Sequence, residues 1–224
     1  MCRACRFGIR LAVLTGKALG HDEAWKPVML TKDDLLGPLA ALRGNAVVIT
    51  CMGVARPWGR FSQSDLDFAS ADSAMGHTAD LALGLALACP ERKVICLNGD
   101  GSMLMTLGTL ITIVQAGPEN LVLFVVQNNT YEITGNLPVP GAGRINFAQL
   151  ARSAGFERVY TFEDPRAYAE ALPEVLSGAG PVLVAVEVVA GSEGPISRSE
   201  SENSPYLKIS LAESARRLRR ALGS

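Results

Sequence analysis

Gly99-Asp100-Gly101-Ser102 follows one apolar run, and Gln127-Asn128-Asn129-Thr130-Tyr131 closes another. The spacing puts a carboxylate and a carboxamide at the C-terminal ends of two expected parallel strands, the edge where open α/β sheets take their ligands. Hard oxygen donors of this kind suit Mg²⁺ or Ca²⁺, and Mg²⁺ usually arrives with phosphate oxygens. A glycine-rich loop feeding a helix N-terminus is itself an anion site. An aspartate in that loop repels phosphate unless a divalent cation neutralises both, so the self-consistent ligand is a diphosphate with Mg²⁺. Asp100 and Asn128 are the candidate side-chain ligands, with a main-chain carbonyl from the turn after Asn128 as a third. Plain dinucleotide binding is disfavoured, because the third glycine of that fingerprint falls on Leu104.

These residues need a sheet to hold them, and the pattern supplies one. Thr31 is placed to cap a helix running to Leu42, ended by Gly44. Ala46 to Thr50 is a short apolar strand of the kind buried on both faces. Pro57, Trp58, Gly59 and the polar run to Asp72 read as a loop over the strand ends. Met75 to Cys89 reads as a helix, Lys93 to Leu97 as a strand, and Asn98 to Gly101 as a turn. A single helix from Ser102 to Ala116 and a strand from Leu121 to Val126 follow.

Beyond Asn128, a Gly/Pro-rich stretch to Gly143 is long enough to be a binding loop. Helices over Phe147 to Ala154 and Pro165 to Leu176 alternate with strands over Arg158 to Thr161 and Pro181 to Val189. Gly191 to Tyr206 is polar and loop-like, and Leu211 to Leu222 forms a last amphipathic helix. Strand–helix alternation predicts an α/β, doubly wound, mostly parallel sheet with helices on both faces. The expected organisation is an N-terminal extension over 1–30, a ligand-binding domain over 31–190, and a C-terminal loop and helix over 191–224 that packs on the domain or on a partner.

The chain has 224 residues, 48% hydrophobic and 19% charged, with a net charge of −1. That charge leaves no electrostatic footprint for nucleic acid, and no apolar run is long enough to suggest a membrane span. Five cysteines do not read as a disulfide framework, so a cytoplasmic location is expected. Cys2-Arg3-Ala4-Cys5 lacks a second pair for a metal site, and the basic N-terminus has too short an apolar stretch for a signal segment.

The two-part signature Gly99-Asp100-Gly101-Ser102 and Asn128-Asn129-Thr130-Tyr131 resembles that of thiamine diphosphate enzymes, in the module that holds the cofactor's diphosphate. Ala74-Met75-Gly76-His77, Ala82-Leu83-Gly84-Leu85-Ala86, Pro90 and Lys93-Val94 extend the likeness to the phosphonopyruvate and sulfopyruvate decarboxylases, over roughly residues 45 to 190. The resemblance implies Mg²⁺ held by the side chains of Asp100 and Asn128 and the carbonyl of Thr130. Spacing alone leaves Asn128 and Asn129 open as ligands; Asn128 is preferred because Tyr131 then takes the family's usual offset.

The resemblance further implies cofactor contacts at Gly99, Gly101, Ser102, Gly76, Tyr131, Thr50 and Gly53. Met75 matches the bulky apolar residue that bends the cofactor. The implied reaction is decarboxylation of a 2-oxo acid to an aldehyde and CO₂. Substrate choice falls to Arg56 to Asp72, Glu132 to Gly143, the C-terminal segment and the partner. Asn136-Leu137 departs from the Gly-Gln that follows Thr-Gly in those relatives, so their particular substrates do not transfer automatically.

Each of these residues also has a plainer reading. Met75 alone would be core filling, and Asn128-Asn129 alone a turn at a strand end. His77 is either an acid/base group or a hydrogen-bonded helix-start histidine. His21 reads as a surface residue and Cys51 as a small buried apolar one. Arg198 either receives an anionic substrate group or is a solvated charge.

Thiamine chemistry also needs an activating glutamate from a pyrimidine-binding module, commonly in an H-E-x-x-A context. His21-Asp22-Glu23-Ala24 lacks that spacing, and the chain has no room for a second module. The expectation is therefore a β-type subunit in an α₂β₂ or larger hetero-oligomer, with a pyrimidine-binding α-type partner supplying the glutamate. The rivals are a 2-oxo acid:ferredoxin oxidoreductase β subunit, an acetolactate synthase-like carboligase, and a non-catalytic cofactor-binding regulatory subunit.

Overall fold

The computed structural model describes residues 29–70 and 75–223. The readings made for Cys2, Cys5, His21 and Ala74, and nearly all of the 1–30 extension, lie outside the described residues. Six parallel strands form the main sheet in the order β2-β1-β3-β4-β8-β7: β1 Val47–Thr50, β2 Asp67–Ala69, β3 Val94–Gly99, β4 Leu121–Gln127, β7 Arg158–Phe162 and β8 Val182–Glu187. A two-residue antiparallel pair, β5 Thr130–Tyr131 with β6 Leu137–Pro138, stands apart beyond the tip of β4.

Every residue of β1 and β4 is buried, as expected for parallel strands covered on both faces. Alternation sorts their side chains to opposite sides. Val122, Phe124 and Val126 face one apolar cluster, and Leu121, Leu123 and Val125 face the other. The first cluster is closed by α1 Lys32–Leu42, α2 Met52–Trp58, α7 Pro165–Ser177 and α8 Pro205–Lys208. The second is closed by α3 Thr78–Ala88, α4 Asp100–Met105, α5 Thr109–Ala116, α6 Phe147–Ala154 and α9 Leu211–Leu222. Each fully buried Leu, Val or Phe contributes roughly 1.5–3 kcal/mol relative to exposure.

Local chemistry explains the boundaries that follow expectation. Thr31 and Asp34 form a reciprocal capping box at α1: Thr31 Oγ1 accepts from Asp34 N at 3.1 Å and Asp34 Oδ2 from Thr31 N at 2.9 Å. Asn146 and Asp164 cap α6 and α7 in the same spirit.

Five expectations need correction. Pro57 and Trp58 end a helix, Met52–Trp58, rather than opening a loop. Pro57 sits in its last turn, where the missing N–H leaves the Gly53 carbonyl to accept from Lys32 Nζ at 2.8 Å instead, and the burial of Val54, Ala55 and Trp58 offsets the lost bond. Within the supposed loop to Asp72, Asp67–Ala69 forms an edge strand, and Asp67 is buried in an ion pair with Arg43 that polarity alone had concealed. The helix expected over Ser102 to Ala116 is two helices. Thr106 leaves helical geometry and donates its hydroxyl to the Gly76 carbonyl at 2.5 Å. The turn expected at Asn98 to Gly101 is instead a strand end passing directly into α4, and the 191–206 segment carries the start of α8.

Candidate functional site

The strand order reverses between β1 and β3, since β1 leads outward to β2 and the chain then returns to β3 and β4. Ligands of such sheets bind at the carboxyl edge of that switch point. A cavity of about 350 Å³ opens there, walled by the segments after β1, β3 and β4. Register pairs Gly99 with Val126, so Asp100 and Asn128 emerge side by side.

Asp100 is 3% exposed. Its Oδ1 accepts from Gly101 N at 2.7 Å and its Oδ2 from Asn129 N at 2.7 Å. Burial pushes its carboxyl above the usual range, and the surrounding main-chain donors pull it partly back. A carboxylate in this state gains from a nearby cation. Asn128 and Thr130 line the cavity beside it, and Asn128 Oδ1 accepts from Thr130 N at 3.1 Å. Asn129 is turned elsewhere: at φ 62 its Oδ1 accepts from Gly143 N at 2.9 Å, anchoring the following loop.

Gly101 and Ser102 complete that wall. A Cβ on Gly101 would lie 2.4 Å from the Tyr131 ring, so only glycine lets the first turn of α4 pass beneath it. Ser102 Oγ is buried with no protein partner, an orphan that calls for a ligand or water. Gly76, at φ +88, packs against Met105 closely enough to exclude a side chain, and Met75 lies 62% exposed on the rim.

A buried ion pair closes the far side, and sequence reasoning missed it. Lys32 Nζ reaches Glu132 Oε2 at 2.6 Å and the Gly53 carbonyl at 2.8 Å; the two side chains are 8% and 2% exposed. Glu132 Oε2 also accepts from Asn128 Nδ2 at 2.8 Å, and Oε1 from Glu193 N at 2.9 Å. Burial opposes ionisation here, but Lys32 and the other donors outweigh it and hold the carboxyl below its ordinary range. Only the fold brings Lys32 to Glu132, and no local pattern marks it. Glu132 stood at the start of the loop expected to govern substrate choice, with no tie to Lys32 or Asn128.

Residues 49–186 match the family described as thiamine pyrophosphate enzyme, C-terminal TPP binding domain. The chain belongs to this family. Among relatives of this thiamine pyrophosphate-binding chain, the sulfopyruvate decarboxylase subunit beta of Methanocaldococcus jannaschii is 40% identical over 87 residues, covering 39% of this chain and 46% of that one. The phosphonopyruvate decarboxylase of Streptomyces viridochromogenes is 32% identical over 182 residues, covering 81% of this chain and 43% of the relative. The matches thus span about half the length of these curated relatives. A benzoylformate decarboxylase from Polynucleobacter necessarius shares the fold with a TM-score of 0.63 at 19% identity, covering 80% of this chain and 36% of that one.

Most of the residues singled out from sequence meet at the cavity: Gly53, Met75, Gly76, Gly99, Asp100, Gly101, Ser102, Asn128, Thr130 and Tyr131. Thr50 is wholly buried behind it, and its neighbour Cys51 forms the wall instead, its thiol pushed up to about 11 by burial. His77 stands off the wall at the start of α3, exposed, with Nδ1 against Asp80. Arg198 is not a simple solvated charge: it donates to the carbonyls of Tyr206 at 2.9 Å and Ala69 at 3.0 Å, clipping the C-terminal segment to the edge strand. Among the described residues no helix is long and apolar enough to cross a membrane.

Proposed function

We propose that this chain is the diphosphate-binding, β-type subunit of a two-component thiamine diphosphate-dependent decarboxylase acting on a small anionic 2-oxo acid, with Mg²⁺ as a second cofactor. The observation that carries this reading is one cavity lined by the Asp100 carboxylate, Asn128, Thr130 and the unpartnered Ser102 hydroxyl. That set fits the group: two side-chain oxygens and a main-chain carbonyl are hard donors of the kind that would hold Mg²⁺ with a diphosphate. The orphan hydroxyl suits a phosphate oxygen. Relatives named for sulfopyruvate and phosphonopyruvate decarboxylation support the substrate class.

When bound, the cofactor supplies the nucleophilic carbon and the electron sink for loss of CO₂. The chain's own residues bind and shelter. Asp100, Asn128 and the Thr130 carbonyl would hold the cation, and Gly101 and Ser102 the diphosphate. Met75, exposed at the rim beside Gly76, would support the bent cofactor. Met52, Val54, Met105, Val126 and Ile133 make the rest of the wall largely apolar, which keeps water from competing for the reacting carbon. His77 remains a candidate acid or base only in an assembly that brings substrate to the start of α3.

The activating glutamate would come from a pyrimidine-binding α-type partner in a cytoplasmic α₂β₂ or larger assembly. A "subunit beta" among the relatives supports a partner. The test is co-expression with the neighbouring reading frame that carries an H-E-x-x-A-like motif, followed by an assay of CO₂ release from 2-oxo acids. Co-purification with release that Asp100→Ala abolishes is the expected result. Undiminished Mg²⁺-dependent cofactor uptake in Asp100→Ala would overturn the reading.

A further inference from the structure

Glu132 faces only donors. Oε2 receives Lys32 Nζ at 2.6 Å and Asn128 Nδ2 at 2.8 Å, and Oε1 receives Glu193 N at 2.9 Å. An ionised carboxylate accepts and cannot donate, so Asn128 is obliged to turn its nitrogen toward Glu132. Its oxygen then points the other way, toward Thr130 N at 3.1 Å and the cavity that Asn128 lines. The second lone pair of that oxygen remains available.

The opposite rotamer would set two acceptors against each other and leave the amide nitrogen facing the cation position. Lys32, itself pinned by the Gly53 carbonyl at 2.8 Å, neutralises the buried carboxylate and fixes its place.

The geometry points to Glu132 as a positioning residue that fixes which end of the Asn128 carboxamide is presented to the divalent cation, with Lys32 holding Glu132 in place. This role rests on the metal-binding reading proposed above. It deepens that reading by naming what selects the ligand atom. Supporting partners of this kind orient metal ligands generally.

The test is a double-substitution cycle on the full chain, reading uptake of Mn²⁺ with thiamine diphosphate by the loss of the free-ion paramagnetic signal. An aspartate is an adequate ligand by itself, so Asn128→Asp should fail only because its carboxylate confronts Glu132. Alone, Asn128→Asp should weaken uptake about tenfold or more; in a Glu132→Gln background, whose amide can donate, the same change should cost about threefold or less. Equal losses in both backgrounds would overturn the positioning role, because a residue that merely anchors the Glu193 main chain gives additive effects.

Asp100→Ala separates the two levels. If that variant takes up Mn²⁺ as well as the unmutated chain, the metal reading falls and this inference with it. If it loses uptake while the cycle is additive, only the positioning role falls. The unmutated chain gives an independent check should a variant not fold. The Asn128 carboxamide protons should exchange slowly in nuclear magnetic resonance, and exchange as fast as that of solvent-facing asparagines would overturn the assignment.

Discussion

Asn129 donates its main-chain N–H to Asp100 Oδ2 at 2.7 Å, locking the tips of β3 and β4 together just beyond the last register pair, Gly99 with Val126. The contact fixes the division of labour in the Asn128-Asn129 pair. One carboxamide lines the cavity, and the other, on a left-handed residue, holds the loop through Gly143.

Substitution of the two asparagines should therefore differ in kind. Asn129→Gly keeps the left-handed backbone, which glycine adopts freely, and loses only the side-chain bond to Gly143, about 0.5–1.5 kcal/mol. Cofactor uptake should survive it nearly intact. Asn128→Ala removes a proposed metal ligand and should reduce uptake by about 10-fold or more, with a stability loss of about 1.5–3 kcal/mol for the bond to the Glu132 carboxylate. Equilibrium dialysis with Mg²⁺ and thiamine diphosphate, alongside thermal melting, checks both. The reverse ranking would make Asn129 the ligand.

Lys32→Met leaves Glu132 ionised and buried without its cation. Removing one partner of such a pair costs about 3–5 kcal/mol, whereas replacing both by apolar groups is often neutral. The unfolding midpoint in urea should fall sharply in Lys32→Met and largely recover in Lys32→Met/Glu132→Met. Cofactor uptake should not recover in the double variant, since Asn128 then has no acceptor to orient it. Equal stability of the single variant and the unmutated chain would mean that the pair carries no such load.

The sheet and the placing of Asp100 and Asn128 at one cavity were legible because both are local. Buried parallel strands are continuous apolar runs, and Asp100 and Asn128 sit at the ends of two of them. Other features depended on tertiary partners. The β2 edge strand opens on Asp67, whose charge is matched only by Arg43 across the fold, and the break between α4 and α5 falls where Thr106 bonds to Gly76. Lys32 and Glu132 are far apart along the chain, so no spacing rule connects them. Met75 shows the converse: its type alone suggested core, and only its exposure separates it from core filling.

That exposure yields a sharp expectation for Met75. A methionine packed in the core costs about 2–5 kcal/mol when cut to alanine, but one 62% exposed should cost little. Met75→Ala is expected to melt within a degree or two of the unmutated chain while binding thiamine diphosphate several-fold more weakly. Calorimetric melting paired with a cofactor titration decides it. A large stability loss with unchanged binding would return Met75 to a structural role.

The C-terminal segment that supplies Pro195 to the cavity wall is held by Arg56, and this hold is expected to weaken in acid. Arg56 Nε and Nη2 meet the two oxygens of Glu202 at 2.9 Å each, and Ser197 N adds a bond at 2.8 Å. The Arg56 hydrogen bonds, against an opposing effect of burial, lower the Glu202 carboxyl from 4.5 to about 2. A carboxylate with a depressed folded pKa contributes stability that is complete above its unfolded pKa and is lost as pH falls toward the folded one. Relative to Glu202→Gln, the unmutated chain should hold a constant urea-midpoint advantage above about pH 5. The gap should narrow as pH falls through 4.5 and close near 2. Hydrogen exchange across residues 191–206 should quicken over the same window. A gap that stayed the same from pH 6 down to 2 would mean that the Arg56–Glu202 contact does not hold the segment.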